Sequence, residues 1–403
     1  MIFVGMDWAE QHHDIHVMEE PGTTVERFRI PDSLEGARQL QQRLADHAQE
    51  PHDVVIGVET DRGLVVHALI VAGYQVYAIN PLSVSRYRER HGVSRAKSDA
   101  ADAKVLADLV RTDRQNHRPI ARDSEQSEAL KVLTRSHQQL IWARQRQVNR
   151  LRHELRDYYP GALQAFADLT STDAIAVLSI APTPALGRAL SLAEVQQALR
   201  TGGRQRYLPT TAKAIVTALA APRLELPDVI VDAHRHSVVA ALTVIAEYGR
   251  GIDAMERALT ACFEQHPDAE ILGSLPGLGP VLGARVQAEL GDDPARYPDS
   301  KARKNYAGCA PVTRASGQWK VVHARFPRNN HLTDALYWWA FCALTRSAGA
   351  RRYYRAYRAR HGHTHPQALR ALANRLVGIL DGCLRHRQLY AETTAWPVPQ
   401  DAT

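Results

Sequence analysis

Short apolar runs alternate with segments of helical spacing along the first 110 residues. Apolar or alternating runs predict strands, and these runs cover residues 2–6, 13–18, 24–30, 53–59 and 75–79. Helical periodicity predicts helices over residues 34–47, 64–72 and 98–111. The first three strands are close enough for hairpins, whereas the later two need crossover helices. This order predicts a mixed α/β N-terminal domain.

The middle of the chain is dominated by two long helical patterns. Residues 125–156 repeat apolar side chains every three or four positions, and arginines occupy the other face. Residues 233–264 form a second long pattern, separated from the first by short, proline-broken segments over 161–232. The two patterns predict a paired helical arm with a coiled-coil seam. We expect Arg144 and Arg150 on its outer face to contact nucleic acid.

A glycine-rich turn interrupts two further helical patterns at residues 275–280, Leu-Pro-Gly-Leu-Gly-Pro. Glycines in such a turn let a backbone approach a phosphate closely, and the amides of the next helix point at it. The pattern therefore predicts a helix-hairpin-helix-like contact through Gly277 and Gly279. The alternative is a plain connector between helices. The last residues, 393–403, are expected to form a tail.

Basic charge is concentrated in the C-terminal part. The whole chain carries a net charge of +7, but residues 301–390 hold 17 Lys and Arg against two acids. Arginine outnumbers lysine strongly, and its planar fork suits phosphate. A basic segment with interspersed aromatic residues favours nucleic-acid binding. The alternative is a solvated helix surface in an arginine-rich protein.

Composition excludes several other classes. With 45% hydrophobic residues the chain can bury a core, so disorder is not its main state. No apolar run reaches the length of a membrane span, and the first residues lack a signal-peptide pattern. The four cysteines are far apart, which argues against disulfides or a cysteine zinc site. We expect a cytoplasmic, nucleoid-associated protein without a membrane partner.

Four acids stand at positions suited to metal binding. Asp7 ends the first predicted strand, Glu59 ends the fourth, and Asp99 and Asp102 share one face near a helix start. If they converge, they supply the hard oxygen ligands that Mg²⁺ or Mn²⁺ prefers, and two such ions suit phosphodiester chemistry. The alternative is capping or helix-dipole roles for the aspartates and turn roles for the other two.

These residues resemble the DEDD transposases of the insertion-sequence one-ten family. The resemblance covers most of the chain except about 160–230. It rests on the motifs GMDWAEQHHD, GVET, KSDAADA, LPGLGPVLGARVQAELGD, YAGCAP, SG and RNNHL, in that order. It implies an RNase H-like (RuvC-like) nuclease domain over 1–120, a helical coiled-coil arm over 121–265 and a helical C-terminal transposase domain over 266–392.

The resemblance also implies an activity. Members of the family are site-specific DNA recombinases that move insertion sequences, and a structured bridge RNA pairs with donor and target DNA. The acids Asp7, Glu59, Asp99 and Asp102 would bind Mg²⁺. A serine in the C-terminal domain, Ser316 by motif position, would attack the scissile phosphate and form a covalent phosphoserine link. The family assembles as dimers that join into a tetramer, in which different protomers complete one site.

The residues alone say less about Ser316. A serine hydroxyl needs an activator, and none is adjacent in sequence. Arg314, Lys320 and Arg325 could stabilise the charge on a phosphorane, and Arg328 adds to the predicted nucleic-acid contacts. The competing candidates for the nucleophile are Ser300 and Thr313.

Two other readings remain open from the sequence. The acids could serve a Mg²⁺-dependent junction-resolving or hydrolytic nuclease without a covalent intermediate, or they could be vestigial in a non-catalytic nucleic-acid-binding protein. Histidines are weaker candidates: His13 is a possible auxiliary base, and the histidines at 361, 363 and 365 are a possible transition-metal cluster.

Overall fold

The computed structural model describes residues 1–91, 99–117, 119–222, 224, 226–325 and 328–397. The chain divides into two compact units, Met1–Arg122 and Asp123–Thr403. Each unit is described by itself. The predicted sequence of a mixed α/β part and a mostly helical part is confirmed.

The first unit is built on one five-stranded sheet. Its strands are β1 (Ile2–Trp8), β2 (His12–Glu19), β3 (Thr24–Pro31), β4 (Val54–Val58) and β5 (Gln75–Ala78). Their spatial order is β3-β2-β1-β4-β5. The first three strands pair antiparallel, whereas β1, β4 and β5 pair parallel. The five predicted strands are therefore present, with hairpins and crossovers where the sequence places them.

Four helices accompany this sheet. They are α1 (Leu34–Ala45), α2 (Leu64–Val71), α3 (Pro81–His91) and α4 (Asp99–Thr112). Helix α3 lies outside the predicted helices, because an Asn-Pro pair after a strand indicates a turn as readily as the start of a helix. The same residues start a helix: the Asn80 side chain accepts a hydrogen bond from the Leu82 amide at 2.8 Å, and proline suits the first helical position.

The sheet has two buried faces. Val4 and Ile56 pack with residues of α1 and α2 on one face, and Phe3 and Val55 pack with α4 on the other. Helix α4 approaches its face closely, since a Cβ at Gly5 would overlap the carbonyl oxygen of Ala103. This close approach brings the first turn of α4 to the edge of the sheet where β1 and β4 end.

The second unit is organised by two long helices, α5 (Glu125–Tyr158) and α11 (Asp228–Glu264). The helices run antiparallel. Near the start of α5, the Gln126 side chain donates to the carbonyl oxygen of Cys262 at 3.2 Å. Near its end, the Ser237 hydroxyl donates to Glu154 at 2.9 Å. Two separate hydrophobic cores form at the opposite ends of this pair.

Short helices surround one end of the pair. They are α6 (Pro160–Ala165), α7 (Thr172–Ile180), α8 (Pro184–Ala189), α9 (Leu192–Thr201) and α10 (Leu208–Ala220). The capping box at Ser191 and Glu194 begins α9. The predicted proline-broken helices therefore form a bundle of their own on the arm.

The other end of the pair carries the C-terminal elements. The helices there are α12 (Ala269–Ser274), α13 (Pro280–Leu290), α14 (Ser300–Tyr306), α15 (Asn330–Arg346), α16 (Ala348–His361), α17 (His365–His386) and α18 (Glu392–Ala395). A hairpin of β6 (Val312–Ser316) and β7 (Trp319–His323) interrupts them. This hairpin was not predicted, because its residues are mostly exposed and lack an apolar face.

Among the described residues, one helix is long and apolar enough to cross a membrane by length and composition, namely α11. This is weak evidence for a membrane span, because core helices of soluble proteins pass the same test. Helix α11 packs along α5 in the antiparallel pair.

Candidate active site

Asp7 and Glu59 lie at neighbouring strand ends. Strands β1 and β4 are parallel, and their register pairs Met6 with Val58. The next residue along each chain is therefore one of the two predicted acids. Both side chains are partly exposed. The parallel pairing thus brings two acids together that are far apart in sequence.

The other two predicted acids come from the first turn of α4. Asp99 is exposed, whereas Asp102 is 3% exposed. Asp102 is paired with a cation, since Nη2 of Arg88 lies 2.5 Å from its Oδ1. Acids in a first helical turn also interact favourably with the helix dipole. Asp99 and Asp102 therefore stabilise the start of α4 and also lie where this helix meets the sheet.

Electrostatics shows that the four acids share one region. The pKa of Asp7 is raised to about 6, first by burial and then by repulsion from Glu59, Asp102 and Asp99, with the smallest contribution from Asp14. Like charges raise a carboxyl pKa when they lie close enough to oppose its ionisation. The region therefore holds more negative charge than its cations neutralise.

Asp14 and His12 belong to the same region; Asp14 was not among the predicted site residues, whereas alternation along the hairpin predicts that at most one of His12 and His13 faces the acids. The antiparallel register places Asp14 opposite Asp7, on the same face of the sheet. Ligand atoms of His12, Asp14 and Asp99 all lie within 4.8 Å of one another. Alternation along the first hairpin was the available signal, because it puts residues 12, 14 and 16 on one face.

Asp14 is also held by an arginine of β3. Arg29 donates through Nη2 to both carboxylate oxygens of Asp14, at 2.9 and 3.1 Å. His13 lies on the opposite face of the sheet, where it pairs with Trp8 in register and its Nε2 lies 3.2 Å from Asp32. His13 is therefore not placed as an auxiliary base beside Asp7.

The donor set of this region fits a hard divalent cation. Carboxylate oxygens of Asp7, Asp14, Glu59 and Asp99 are the kind of ligand that Mg²⁺ and Mn²⁺ bind. A divalent cation would also relieve the repulsion that raises the pKa of Asp7. The tightest group of potential ligands among the described residues is centred on His12, Asp14 and Asp99 rather than on the predicted quartet.

Ser316 lies at the tip of the β6–β7 hairpin in the second unit. It is the last residue of β6, it pairs with Trp319, and it is exposed. Gly317 follows with φ of +57°, a left-handed conformation that glycine adopts without strain. Within the described part of the chain, the Ser316 hydroxyl has no hydrogen-bond partner. The hairpin therefore presents Ser316 to solvent without a resident base.

Basic residues lie on and beside this hairpin. Arg314 and Lys320 are exposed on its two strands. Arg325 anchors its base, donating to the Asn305 side chain at 3.2 Å. Arg328 is exposed just before α15. Arg314 and Lys320 are thus the cations most available to a phosphate near Ser316.

Of the nucleic-acid contacts predicted on α5 and at the glycine-rich turn, some lie at the surface and one is packed inside the protein. Arg150 is exposed and Arg144 is partly exposed on α5. Gly279 is exposed before α13, but a Cβ at Gly277 would lie 2.8 Å from the backbone nitrogen of Ala343. The close approach that Gly277 permits is therefore to α15 within the protein.

The remaining candidates occupy structural positions. Ser300 is the first residue of α14, and Thr313 is exposed on β6. His363 stacks on Tyr357, and His365 Nδ1 lies 2.7 Å from the Tyr354 hydroxyl. These contacts orient the two histidines toward tyrosines rather than toward a shared ion.

Comparison with known proteins gives matches to both ends of the chain. A family model for DEDD transposases of the IS110 type, described as a transposase, matches residues 4–160. A second model, described as a transposase of the IS116/IS110/IS902 family, matches residues 269–355. The two matched segments hold all the predicted acids and Ser316.

Several curated proteins are similar over nearly their whole length. A mini-circle protein of Streptomyces coelicolor, named as a transposase for IS117, is 43% identical over 98% of this chain and 96% of its own. The insertion element IS116 protein of Streptomyces clavuligerus is 31% identical over 100% of this chain and 98% of its own. The insertion element IS110 protein of Streptomyces coelicolor is 28% identical over 96% and 95%.

Proposed function

We propose that this chain, which belongs to the IS110 family of transposases, recombines DNA by Mg²⁺-dependent serine attack guided by a structured RNA. The observation that carries the proposal is that three other acids lie close enough to act on Asp7. The pKa of Asp7 rises to about 6 through burial and through repulsion from Glu59, Asp102 and Asp99. A region with this much uncompensated carboxylate suits a divalent ion and the phosphate that the ion would hold.

The sheet topology supports an RNase H-like nuclease core for the first unit. Its order, β3-β2-β1-β4-β5, combines antiparallel hairpins with parallel neighbours around β1. This order puts Asp7 and Glu59 on adjacent strands and leaves α4 free to add Asp99 and Asp102. A domain division at 1–120, 121–265 and 266–392 remains part of this proposal.

Asp7, Glu59, Asp99 and Asp102 would hold Mg²⁺ or Mn²⁺, and Asp14 and His12 stand beside them. DEDD transposases typically use divalent metal. The bound ion would supply Lewis-acid polarisation of a phosphate oxygen. The protein's own contribution is to concentrate ligands on one sheet edge and to keep Asp102 buried against Arg88.

Ser316 is the proposed nucleophile. Its Oγ forms a bond to the scissile phosphorus while one P–O ester bond of the DNA breaks, and the proton of the serine hydroxyl passes through solvent to the DNA oxygen that leaves. A DNA hydroxyl later attacks the phosphoserine and releases Ser316. Because the ester bond is conserved, joining needs no nucleotide triphosphate, which agrees with the absence of a P-loop motif from the sequence.

Guide RNA would supply sequence recognition. Base pairing between RNA and DNA reads sequence, so the protein needs mainly contacts to backbone and shape. The basic residues of the C-terminal part support this division of labour, since arginine suits phosphates without reading individual bases. We place the protein in the bacterial cytoplasm, associated with the nucleoid, with donor DNA, target DNA and RNA as partners.

A covalent trap tests the nucleophile. Labelled DNA carrying the element's end is incubated with protein, RNA transcribed from the flanking non-coding segment and Mg²⁺, and the mixture is resolved under denaturing conditions. We expect a protein–DNA adduct with the intact protein and with Thr313→Ala, and none with Ser316→Ala. An adduct or joined product from Ser316→Ala would overturn the serine mechanism and leave a hydrolytic nuclease.

The same assay tests the partners. Omission of the RNA should abolish adduct formation. A mixture of Asp7→Asn and Ser316→Ala chains should regain joining if the acids and the serine of one site come from different protomers. No recovery in the mixture would contradict the dimer and tetramer assembly, and an RNA-independent adduct would contradict guidance.

A further inference from the structure

A cavity of about 350 Å³ lies within the second unit, beside the segment that leads into β6. Its walls come from α5, from residues 307–309, and from the first turns of α15 and α17. Binding pockets for small ligands begin at about 300 Å³. The cavity is therefore large enough for one nucleotide and too small for a duplex.

One side of the cavity is positively polarised. Helices α15 and α17 have 17 and 22 residues, and residues of their N-terminal turns line the cavity. The positive end of a helix dipole favours an anion. Arg328 and Arg370 add two guanidinium groups, and within the described residues neither has a carboxylate partner. This side of the cavity is suited to a phosphate.

The acid in the wall does not cancel this charge. Asp334 lies in the first turns of α15, and Nη2 of Arg285 approaches its Oδ2 at 2.6 Å. Arg285 is itself only 8% exposed. The pair is therefore neutral as a unit, and the charge of Arg328 and Arg370 remains available to a ligand.

The other side of the cavity is apolar and aromatic. Cys309, Leu336 and Ala373 form a buried floor, and Trp142 and Tyr337 stand at the walls. A phosphate ion would gain nothing from such a floor. A nucleobase would, because base–aromatic contact and apolar burial both favour a planar heterocycle that has left the helical stack.

The chain leads directly from this floor to the proposed nucleophile. Cys309 lies three residues before β6, and Ser316 ends that strand. A chain extends by at most about 3.6 Å per residue, so Cys309 and Ser316, seven residues apart, are separated by at most roughly 25 Å. An extended DNA strand covers that distance with about four nucleotides. A strand whose phosphate reaches Ser316 can thus place a nearby nucleotide at the cavity.

We propose that this cavity holds one extrahelical DNA nucleotide close to the cleaved bond, with its base on the apolar floor and its phosphate toward Arg328 and Arg370. The inference rests on the proposed function in taking DNA as the substrate. Seating one nucleotide in a shaped cavity would hold the DNA strand in register with Ser316. Extrusion costs stacking free energy, which binding in the cavity offsets.

Binding of bulged DNA tests the inference without any chemistry. Fluorescence anisotropy is measured in EDTA with three labelled duplexes: fully paired, with a single-nucleotide bulge, and with an abasic bulge. We expect the bulged duplex to bind at least tenfold more tightly than the paired one. The abasic bulge should lose most of that preference.

Matched variants assign the preference to the cavity. Tyr337→Ala and Arg370→Ala should each bring the ratio of bulged to paired affinity to within about twofold. Trp338→Ala removes a neighbouring exposed aromatic side chain, and Arg355→Ala removes an exposed arginine of α16, both outside the cavity. These two controls should keep the ratio, and thermal unfolding should confirm that all four variants are folded.

Three results would overturn the inference. They are an absent preference for the bulge, a preference that survives in folded Tyr337→Ala and Arg370→Ala, and equal binding of the abasic bulge, which would indicate an anion site without a base. A bulged RNA duplex that binds better than the DNA one would overturn the assignment to DNA. Because no bond is cleaved in this assay, a failure of covalent attachment at Ser316 leaves its outcome unaffected.

Discussion

Asp7 and Asp14 stand directly opposite each other across the β1–β2 hairpin. Like charges in that position repel, and Arg29 donates to the carboxylate of Asp14. The pKa of Asp7 rises to about 6, first through burial, then through repulsion from Glu59, Asp102 and Asp99, with the smallest contribution from Asp14. A divalent cation bound among these carboxylates would offset their repulsion. The register of β1 and β2 thus places Asp7 and Asp14 side by side in the proposed metal site.

Neutralising Asp7 should therefore stabilise the metal-free protein. Asp7→Asn removes a half-buried charge that other acids repel, and after allowance for solvent screening we expect a gain of about 1 kcal/mol. In a thermal unfolding series, Mg²⁺ should raise the Tm of the unaltered chain but raise that of Asp7→Asn much less. Asp46→Asn, at an exposed acid of the same unit, is the control. It should change neither the stability of the metal-free protein nor the rise in Tm that Mg²⁺ produces. Equal Mg²⁺ stabilisation of all three proteins would argue against a metal site here.

The sheet face under α4 should not tolerate a side chain at Gly5. A Cβ there would overlap the backbone of Ala103, which cannot move without shifting the helix that carries Asp99 and Asp102. We expect Gly5→Ala to cost about 3 kcal/mol, at the upper end for overpacking. Limited proteolysis and thermal unfolding measure the loss. Gly249→Ala is the matched control, because its Cβ would meet open space within α11 and should stabilise that helix slightly.

A buried histidine on α5 should make stability depend on pH. Burial lowers the pKa of His137, and the nitrogens of its ring have no hydrogen-bond partner among the described residues. Below pH 6.5 the imidazole of His137 binds a proton in the unfolded chain but not in the folded one. The free energy of unfolding should therefore fall as the pH drops through that range. His137→Leu should raise the Tm and flatten this dependence. His153→Gln, at an exposed histidine of the same helix, should leave the slope unchanged.

The cysteine in the cavity floor should be chemically inert. Burial raises the pKa of the Cys309 thiol to about 12, so little of the reactive thiolate exists at neutral or mildly alkaline pH. We expect iodoacetamide at pH 8 to modify Cys342, which is only partly buried, well before Cys309. Peptide mass spectrometry over time measures both rates in the same sample. Fast modification of Cys309 in the folded protein would show that the floor is more open than described.

Local patterns predicted the elements of the first unit well, because strand alternation and helix periodicity are properties of neighbouring residues. The same patterns missed Asp14 as a site residue, since its importance comes from hairpin register rather than from its own surroundings. They also predicted a phosphate contact for Gly277, where the structure places α15 against it, 66 residues away in sequence. Contacts between distant segments are what the sequence pattern could not supply.

The C-terminal part shows a second limit. The β6–β7 hairpin was missed because exposed strands carry no apolar alternation. Helix α3 was missed because a proline after asparagine ends one element and begins another. The position of Ser316 itself came from the family motif, since nothing in its neighbourhood marks a serine nucleophile.

The hairpin tip offers a test that separates conformation from charge. Gly317 has φ of +57°, which asparagine adopts at small cost and valine does not. We expect Gly317→Val to reduce adduct formation by about tenfold, because the β-branched residue shifts the turn that presents Ser316. Gly317→Asn should stay within about threefold of the unaltered chain. A Cβ at this glycine meets no other atom within 4 Å, so the cost of substitution comes from the left-handed backbone alone, and Gly317→Val should lower the Tm more than Gly317→Asn. Equal activity of the two variants would mean that the geometry of this turn does not position the nucleophile, and the attacking group would then have to be sought outside the hairpin.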